Sequence, residues 1–463
     1  MAHDLLVRGG LLVSGQGVRQ ADVAITDGLV AAIGRDLGEA RETYDATGRY
    51  VLPGIIDAHN HPYYADDIEA FSLAAAAGGV TTLIPFAGRK WHGDGGAPTT
   101  LVDTVEEFIG DGERSSYLDF GAHVIVSPGD DMVSAVPALM ARGIMSFKAF
   151  TAFPGIRMLD DGQLLDLMRL LADLGGLSMV HCENGHAAVR LERWLRESGQ
   201  VGAADYGRSR PALVESEAVY RALSLAELTG CDLYIVHVSA AESLDVIRNF
   251  RDRPGPARYA ETCTHYLRLT EQDQHRLGGL AKISPPMRGR ADLAAIWDAL
   301  RDGTIDVVAS DASGQTIEGK KPDETNIFDV PFGLPGVEHM LPLVVSGALY
   351  EHSVGLPTLV RVLCERPAEI FGLGRRKGRL EVGFDGDVVV YDPFPEWTVE
   401  QQNLHGNSDY SPFAGQRVFG RPVFSAQRGR AVLRDGVVCG KPGRGRFLTA
   451  AAASAARPEG SRA

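Results

Sequence analysis

Five short stretches of this chain carry side chains that could hold divalent metal. They are His59 and His61 within Ile55-Ile56-Asp57-Ala58-His59-Asn60-His61, Lys148 after Ser146-Phe147, His181 after Val180, His237 after Val236, and Asp311 after Ser310. Each stretch lies at or near the end of an apolar run with strand character. Residues two apart on a strand point the same way, so His59 and His61 reach one side together, as a chelating pair must. Imidazole, carboxylate and a buried lysine converging at strand ends are what a hydrolytic two-metal site requires. The ligand types suit zinc or manganese rather than calcium. Taken singly, His181 or His237 would be expected as a hydrogen-bonded core residue. The ordered set is what points to a site.

Such a set needs a scaffold that brings distant strands to one end. From about Pro53 to Arg375 the chain alternates strand-like runs with helical periodicity, the pattern of repeated βα units on a parallel sheet. The runs Gly54–His59, Val80–Phe86, Asp119–Val126, Gly143–Phe150, Leu177–Glu183, Asp232–Ser239, Arg258–His265 and Ile305–Ser310 predict eight strands. Helices are predicted at Ile68–Ala77, Gln163–Leu174, Ala187–Glu197, Glu215–Leu228, Ser243–Asn249 and Ala291–Asp302. This fits a (β/α)8 TIM barrel, whose active sites lie at the C-terminal strand ends. The candidate ligands fall at strands one, four, five, six and eight.

Before and after this middle the texture is all-β. Leu5–Arg8, Leu11–Ser14, Ala21–Thr26, Leu29–Ile33 and Tyr50–Leu52 answer Asp387–Tyr391, Arg417–Val418, Val423–Arg428 and Arg430–Leu433. The expected organisation is a small β-sandwich built from residues 1–52 and 376–448, a catalytic barrel at 53–375, and a flexible tail at 449–463, where core-forming residues are scarce.

Lys148 is the diagnostic residue of the set. An ammonium facing a barrel interior is costly to bury and normally shifts its pKa or finds a partner. A neutral amine there can react with carbon dioxide, giving a carbamate whose two oxygens could bridge two cations. The competing reading is a plain ion pair of Lys148 with Asp311 or Glu183 and no metal.

Bulk properties narrow the function classes. A chain of 463 residues that is 44% hydrophobic and 23% charged builds a sizeable core and is neither fibrous nor disordered. The net charge of −14 repels phosphate backbones and anionic membranes, so nucleic acid and membrane are not expected as partners. The first residues lack a cationic stretch followed by an apolar segment, which makes cytoplasmic residence the expectation. Cys182, Cys231, Cys263, Cys364 and Cys439 are odd in number and scattered without a Cys-x-x-Cys pair, as for free thiols in a reducing compartment.

The run Leu52-Pro53-Gly54-Ile55-Ile56-Asp57-Ala58-His59-Asn60-His61, with Phe147-Lys148, His181-Cys182-Glu183-Asn184, His237-Val238-Ser239, Glu261-Thr262-Cys263-Thr264-His265-Tyr266, Ser284-Pro285-Pro286 and Ser310-Asp311, resembles the cyclic amidohydrolases: hydantoinase, dihydropyrimidinase and allantoinase. The resemblance covers nearly the whole chain, including Gly378 to Asp387 and Ser408-Asp409-Tyr410-Ser411-Pro412-Phe413. It implies hydrolysis of a cyclic amide to an N-carbamoyl or ureido acid by a hydroxide bridging two divalent ions. His59, His61 and Asp311 would hold one ion, His181 and His237 the other, with carboxylated Lys148 between them. Asp311 would also move the proton. A homotetramer or dimer is implied too.

Departures from the pattern sit on the substrate side. The tyrosine expected five residues after the lysine is Phe153, the asparagine expected before Gly-x-Pro-Gly is Phe332, and the histidine expected after Asp311 is Ala312. Ser284 is retained as a ring contact, and Tyr63 and Tyr64 are candidates to replace the lost hydroxyl donor. The loop from His61 to Gly78 looks shorter than in relatives. The pattern therefore implies retained hydrolysis with a shifted substrate and a more apolar pocket. Allantoinase is the rival enzymatic reading, since it too can lack the tyrosine. A non-catalytic scaffold, which some dihydropyrimidinase relatives have become, is the rival of another class.

Overall fold

The structure, a computed structural model, describes residues 2–88, 100–321, 324–401 and 404–450. All eight expected barrel strands form, at Ile55–Asn60, Val80–Ala87, His123–Ile125, Ser146–Phe150, Leu177–His181, Asp232–Ile235, Arg258–Cys263 and Val307–Ala309. Parallel pairings join them in chain order. The ring closes where Asn60 bridges Ala312 in parallel and Asp311 N donates to His59 O at 2.8 Å. These strands are buried on both faces, as a parallel sheet covered by helices must be.

Strands six and eight stop short of the expected ends for a common reason. His237 and Asp311, each two residues past its strand, adopt φ of +40° and +47°. An L-residue in the left-handed region leaves the β conformation, and such outliers cluster where function fixes a side chain. The third expected strand breaks in two because Asp119–Phe120 is drawn aside: Phe120 bridges Phe447 of the C-terminal segment.

Helix signals act locally as their chemistry dictates. Asp161–Leu174 starts on a reciprocal cap between Asp160 and Gln163 and ends at Gly175 with φ +75°, a conformation glycine adopts without strain. Helices Leu101–Ser115 and Met132–Ala141 were not anticipated, since Gly110 and Gly112 dilute the first and Pro137 interrupts the second. Gly112 has a packing reason: a Cβ there would lie 2.3 Å from the Phe120 ring.

Both chain ends build the β-rich part. A seven-stranded sheet runs Val437–Val438, Arg430–Arg434, Arg417–Gln427, Val388–Thr398, Tyr50–Pro53, Leu11–Ser14, Gly17–Gln20, and a four-stranded sheet runs Leu29–Gly34, Asp22–Thr26, His3–Arg8, Ala40–Asp45. Leu5, Val7, Val23, Ile25, Val51, Val388, Val390 and Phe424 form the core of this part. Gly17–Gln20 and Ala40–Asp45 escape sequence reading because both lie at sheet edges, mostly exposed, without apolar alternation. Of the expected tail, Ala450 N donates to Gly143 O at 2.9 Å, and residues 451–463 lie outside the described residues.

A buried ion cluster ties the β-rich part to the barrel. Lys377 Nζ reaches Asp119 at 2.8 Å, Asp385 at 3.0 Å and Asp387 at 2.6 Å, and Arg428 also donates to Asp119. The three carboxylates are close enough to hold a cation, and the lysine ammonium serves as that cation. Lys377→Met should therefore leave the buried Asp387 carboxylate without a cation, Asp119 and Asp385 keeping Arg428 and Arg376, and cost about 3–5 kcal/mol. A thermal unfolding midpoint unchanged from the parent would remove the cluster's structural role.

Candidate active site

Period-two alternation aims Phe147 outward toward the helices and Lys148 with Phe150 inward. Lys148 is 1% exposed, and its Nζ lies 4.7 Å from the Phe86 ring centroid and 5.1 Å from that of Phe150. Phe86 flanks His59 at 4.6 Å and His61 at 5.2 Å, while Phe150 flanks His181 at 5.3 Å. The amine thus sits between the two histidine pairs. Burial pushes its pKa down to about 8 against the pull of Asp311 and Glu261.

The ligand atoms of His59, His61 and Asp311 all lie within 4.8 Å of one another. Asp311 Oδ1 is 3.0 Å from His59 Nε2 and 3.3 Å from His61 Nε2. The rings of His181 and His237 are 4.6 Å apart, and His237 is 5.5 Å from His59. Burial would raise the Asp311 carboxyl, but the charge of His59 and hydrogen bonds from both histidines hold it well below the usual range. Burial lowers both histidines of this trio; in His59 the carboxylates of Glu261 and Asp311 overcome it and lift the pKa to about 9, while His61 stays near 4.

Neither Asp311 nor Glu183 forms a salt bridge with Lys148 among the described residues, although the Asp311 charge acts on the amine. Glu183 accepts from Arg210 Nη1 at 3.0 Å, bonds His181 Nε2 at 2.8 Å, and accepts from Ser284 Oγ. Asp311 is engaged by His59 and His61.

Residues that sequence reasoning assigned no role orient these groups. Glu261 Oε1 shares a 2.6 Å hydrogen bond with His59 Nδ1 and accepts from His237 N, and its Oε2 accepts from Tyr234. Asp57 accepts from Ser310 N and Oγ, fixing the end of strand eight against strand one. Outer partners of this kind set ring orientation and tautomer. The available signal was a lone acid on an otherwise apolar strand, Asp57 in Ile-Ile-Asp-Ala and Glu261 in Tyr-Ala-Glu-Thr.

One cavity of about 470 Å³ is lined by every residue singled out from sequence: His59, His61, Tyr63, Tyr64, Lys148, Phe153, His181, His237, Ser284, Asp311 and Phe332. Phe153, at φ +63°, packs its ring 5.5 Å from Phe332 and 5.4 Å from His181. The Tyr63 hydroxyl is 2.8 Å from His61 Nδ1, so it holds that imidazole. Tyr64 stands at the rim, 42% exposed. Sequence reasoning missed Arg157 and Gln315 on the cavity wall, and it missed the clamp behind Phe332. There Lys282 donates to the carbonyls of Phe328 and Val330, and Lys320 to those of Lys282, Pro331 and Gly333.

Residues 234–425 match the Amidohydrolase family. The chain is 38% identical over 458 residues to a D-hydantoinase of Ralstonia pickettii, covering 96% of this chain and 98% of that protein. The chain is a cyclic amidohydrolase. To an L-hydantoinase of Paenarthrobacter aurescens the identity is 32%, over 96% and 98% of the two chains. A solved D-hydantoinase structure superposes with a TM-score of 0.91 at 36% identity, over 96% of this chain and 99% of the other. This cyclic amidohydrolase is a hydrolase of carbon–nitrogen bonds in cyclic amides, from a family that binds divalent metal. Hydrolases as its relatives, with all six candidate ligands retained, turn the scaffold reading away. No helix among the described residues is long and apolar enough to cross a membrane.

Proposed function

We propose that this cyclic amidohydrolase opens a hydantoin- or dihydropyrimidine-type ring to the corresponding N-carbamoyl or ureido acid. His59, His61 and Asp311 would hold one divalent ion, His181 and His237 a second, and a carbamate on Lys148 would stand between them. The observation that carries this reading is the position of Lys148, buried between the two histidine pairs at the wall of one cavity. The donor set fits: imidazole nitrogens and a carboxylate suit zinc, with manganese as the alternative. His237 Nδ1 is buried and makes no hydrogen bond among the described residues, a cost that coordination nearby would offset. When bound, two such ions would supply a water nucleophile at neutral pH and polarise the ring carbonyl.

The remaining work belongs to the chain's own residues. Asp311, held ionised on the cavity wall, would take a proton from the attacking water and return it to the departing ring nitrogen. Glu261 and Tyr63 engage the Nδ1 atoms of His59 and His61, which keeps Nε2 of each directed at Asp311 and the centre. Phe150, Phe153 and Phe332 give the ring an apolar slot. Ser284 keeps oxygen lone pairs for a ring N–H while its own proton goes to Glu183.

At Phe153 the missing hydroxyl has a measurable consequence. Phe153→Tyr should raise kcat/KM on small unsubstituted rings by up to about 1–3 kcal/mol of barrier, the value of one oxyanion donor, while leaving a larger substrate unchanged or worse. A parent already efficient on dihydrouracil, with no response to Phe153→Tyr, would show that the shifted-substrate reading is mistaken.

Metal-replete protein tested on hydantoins, dihydropyrimidines and allantoin checks the reading as a whole. Turnover confined to allantoin would favour the rival ring, and no turnover on any of them would sink the proposal. A homodimer or homotetramer is part of the same proposal, supported by apolar side chains left exposed on two helices, Val189 and Trp194 on Gly185–Glu197 and Leu213, Tyr220 and Leu228 on Ala212–Thr229. Cytoplasmic residence is supported by five free cysteines, of which Cys439 alone is exposed.

A further inference from the structure

We infer that the ring accepted here carries an arm ending in an uncharged amide or ureide, and that Ser313 and Gln315 are the residues that select it. The inference rests on the cyclic-amide reading above and specifies its substrate. Past the end of barrel strand eight the chain runs Asp311-Ala312-Ser313-Gly314-Gln315, and Asp311, Ser313 and Gln315, spaced by two, all line the cavity. The segment is pinned from both sides: Asn60 and Leu334 bridge Ala312, and Ser313 N donates to Leu334 O at 2.9 Å. A chain spans at most about 3.5 Å per residue, so Ser313 lies within about 7 Å of Asp311 and Gln315 within about 14 Å, backbone to backbone. An arm of a few carbons on a ring attacked beside Asp311 covers that reach.

Both residues are buried, yet their polar ends are open to the cavity. Gln315 Nε2 donates to Phe332 O at 3.2 Å, which fixes the carboxamide and leaves its Oε1 and one N–H unused. Neither Gln315 Oε1 nor Ser313 Oγ makes a hydrogen bond among the described residues, and neither is sealed from solvent. Two glycines of the cavity wall keep these atoms uncovered. A Cβ at Gly333, where φ is +111°, would collide with Ser313 Oγ and come within 3.3 Å of Gln315 Nε2, and one at Gly319 would stand 3.4 Å from Gln315 Oε1.

The other polar groups of the cavity are engaged elsewhere or lie in water. Tyr63 holds His61, the Ser284 proton goes to Glu183, and Arg157 donates to Ser127 Oγ at 2.7 Å. Asp329 pairs with Arg196 at 2.9 Å, and Tyr64 and Lys321 are exposed at the rim, where water screens the lysine charge. What remains is one carboxamide oxygen, one amide N–H and one hydroxyl, with the carboxylate of Asp311 at the head of the same row. A hydrocarbon arm would strip these groups of water without replacing its hydrogen bonds, and a carboxylate arm would be set against the Gln315 oxygen and the Asp311 charge. An amide or ureide satisfies the row, since its N–H can donate to Gln315 Oε1 while its C=O accepts from Ser313. The scissile step is unchanged. Water adds its oxygen and one hydrogen to the carbonyl carbon, the ring C–N bond breaks, the nitrogen takes the remaining proton, and the arm is untouched. The product is an N-carbamoyl or ureido acid that keeps the amide on its arm.

The test uses full-length, metal-replete protein and three hydantoins whose arms share one shape: 2-carbamoylethyl, 2-carboxyethyl and 3-methylbutyl. Parent enzyme should favour the carbamoyl arm over each of the others by about 10- to 100-fold in kcat/KM, the discrimination expected when polar groups of the site are left unpaired by the wrong arm. Gln315→Leu should cut the preference over the 3-methylbutyl arm to within about threefold, acting through KM. Ser313→Ala, which leaves the bond from Gln315 to Phe332 in place, should remove part of the preference. Equal use of the three arms by the parent would overturn the assignment, and preference for the carboxyethyl arm would overturn it in favour of a cation of the wall. An equal loss on all three arms in both variants, the mark of a structural role, would overturn it as well. Failure of the parent on every cyclic amide would overturn the ring-hydrolysis reading and this inference with it; turnover without carbamoyl preference would overturn this inference alone.

Discussion

Lys148→Ala is expected to abolish turnover and to lose at least one divalent ion per chain. Flanked by Phe86 and Phe150, the Lys148 amine lies close enough to His59, His61, His181 and His237 for its charge to lower the pKa of each. Removing the amine removes the carbamate it would form and with it the only side-chain ligand proposed to be common to both ions. A short carboxylic acid small enough for the vacated space should restore part of the activity, since it offers the same pair of oxygens. Lys148→Met, which fills the volume without a ligand, should be as inactive but resist rescue. Normal turnover in Lys148→Ala would remove the bridging role. Inactive protein with undiminished metal would limit the residue to a role in catalysis.

Asp311→Asn should reduce kcat by about 10²- to 10⁴-fold, the range for a positioned proton-transfer group. The amide still offers an oxygen toward His59 and His61, so metal content should fall less than in a double substitution of those histidines. The backbone argues that the fold will tolerate the change. Asp311 N is bonded to His59 O at 2.8 Å, and asparagine is one of the residues that accept the left-handed conformation seen there at φ +47°. Equal turnover in parent and Asp311→Asn would reassign the proton transfer to another group.

The sequence made the gathering of His59, His61, Lys148, His181, His237 and Asp311 at one cavity legible because barrel geometry turns a linear order into a place. Once eight βα units are recognised, polar residues at the strands' C-terminal ends become the candidates to face the site, as His59, His181 and Asp311 do. The orienting groups were harder to read. Glu261 reaches His59 from 202 residues away, and Asp57 reaches Ser310 from 253. Neither sequence distance carries any periodicity. Arg157 was illegible for a different reason. It sits in an irregular turn whose direction depends on three N–H groups converging on the Phe153 carbonyl, a geometry that no strand or helix pattern encodes. The edge strands Gly17–Gln20 and Ala40–Asp45 were missed because an exposed edge does not require apolar alternation.

The account stands or falls on the two-ion centre. Counting divalent ions per chain in active protein, by elemental analysis alongside turnover on a cyclic amide before and after chelation, addresses it directly. The expected result is about two ions per chain, with activity lost on their removal and regained when zinc or manganese is restored. Full activity in metal-free protein would contradict it.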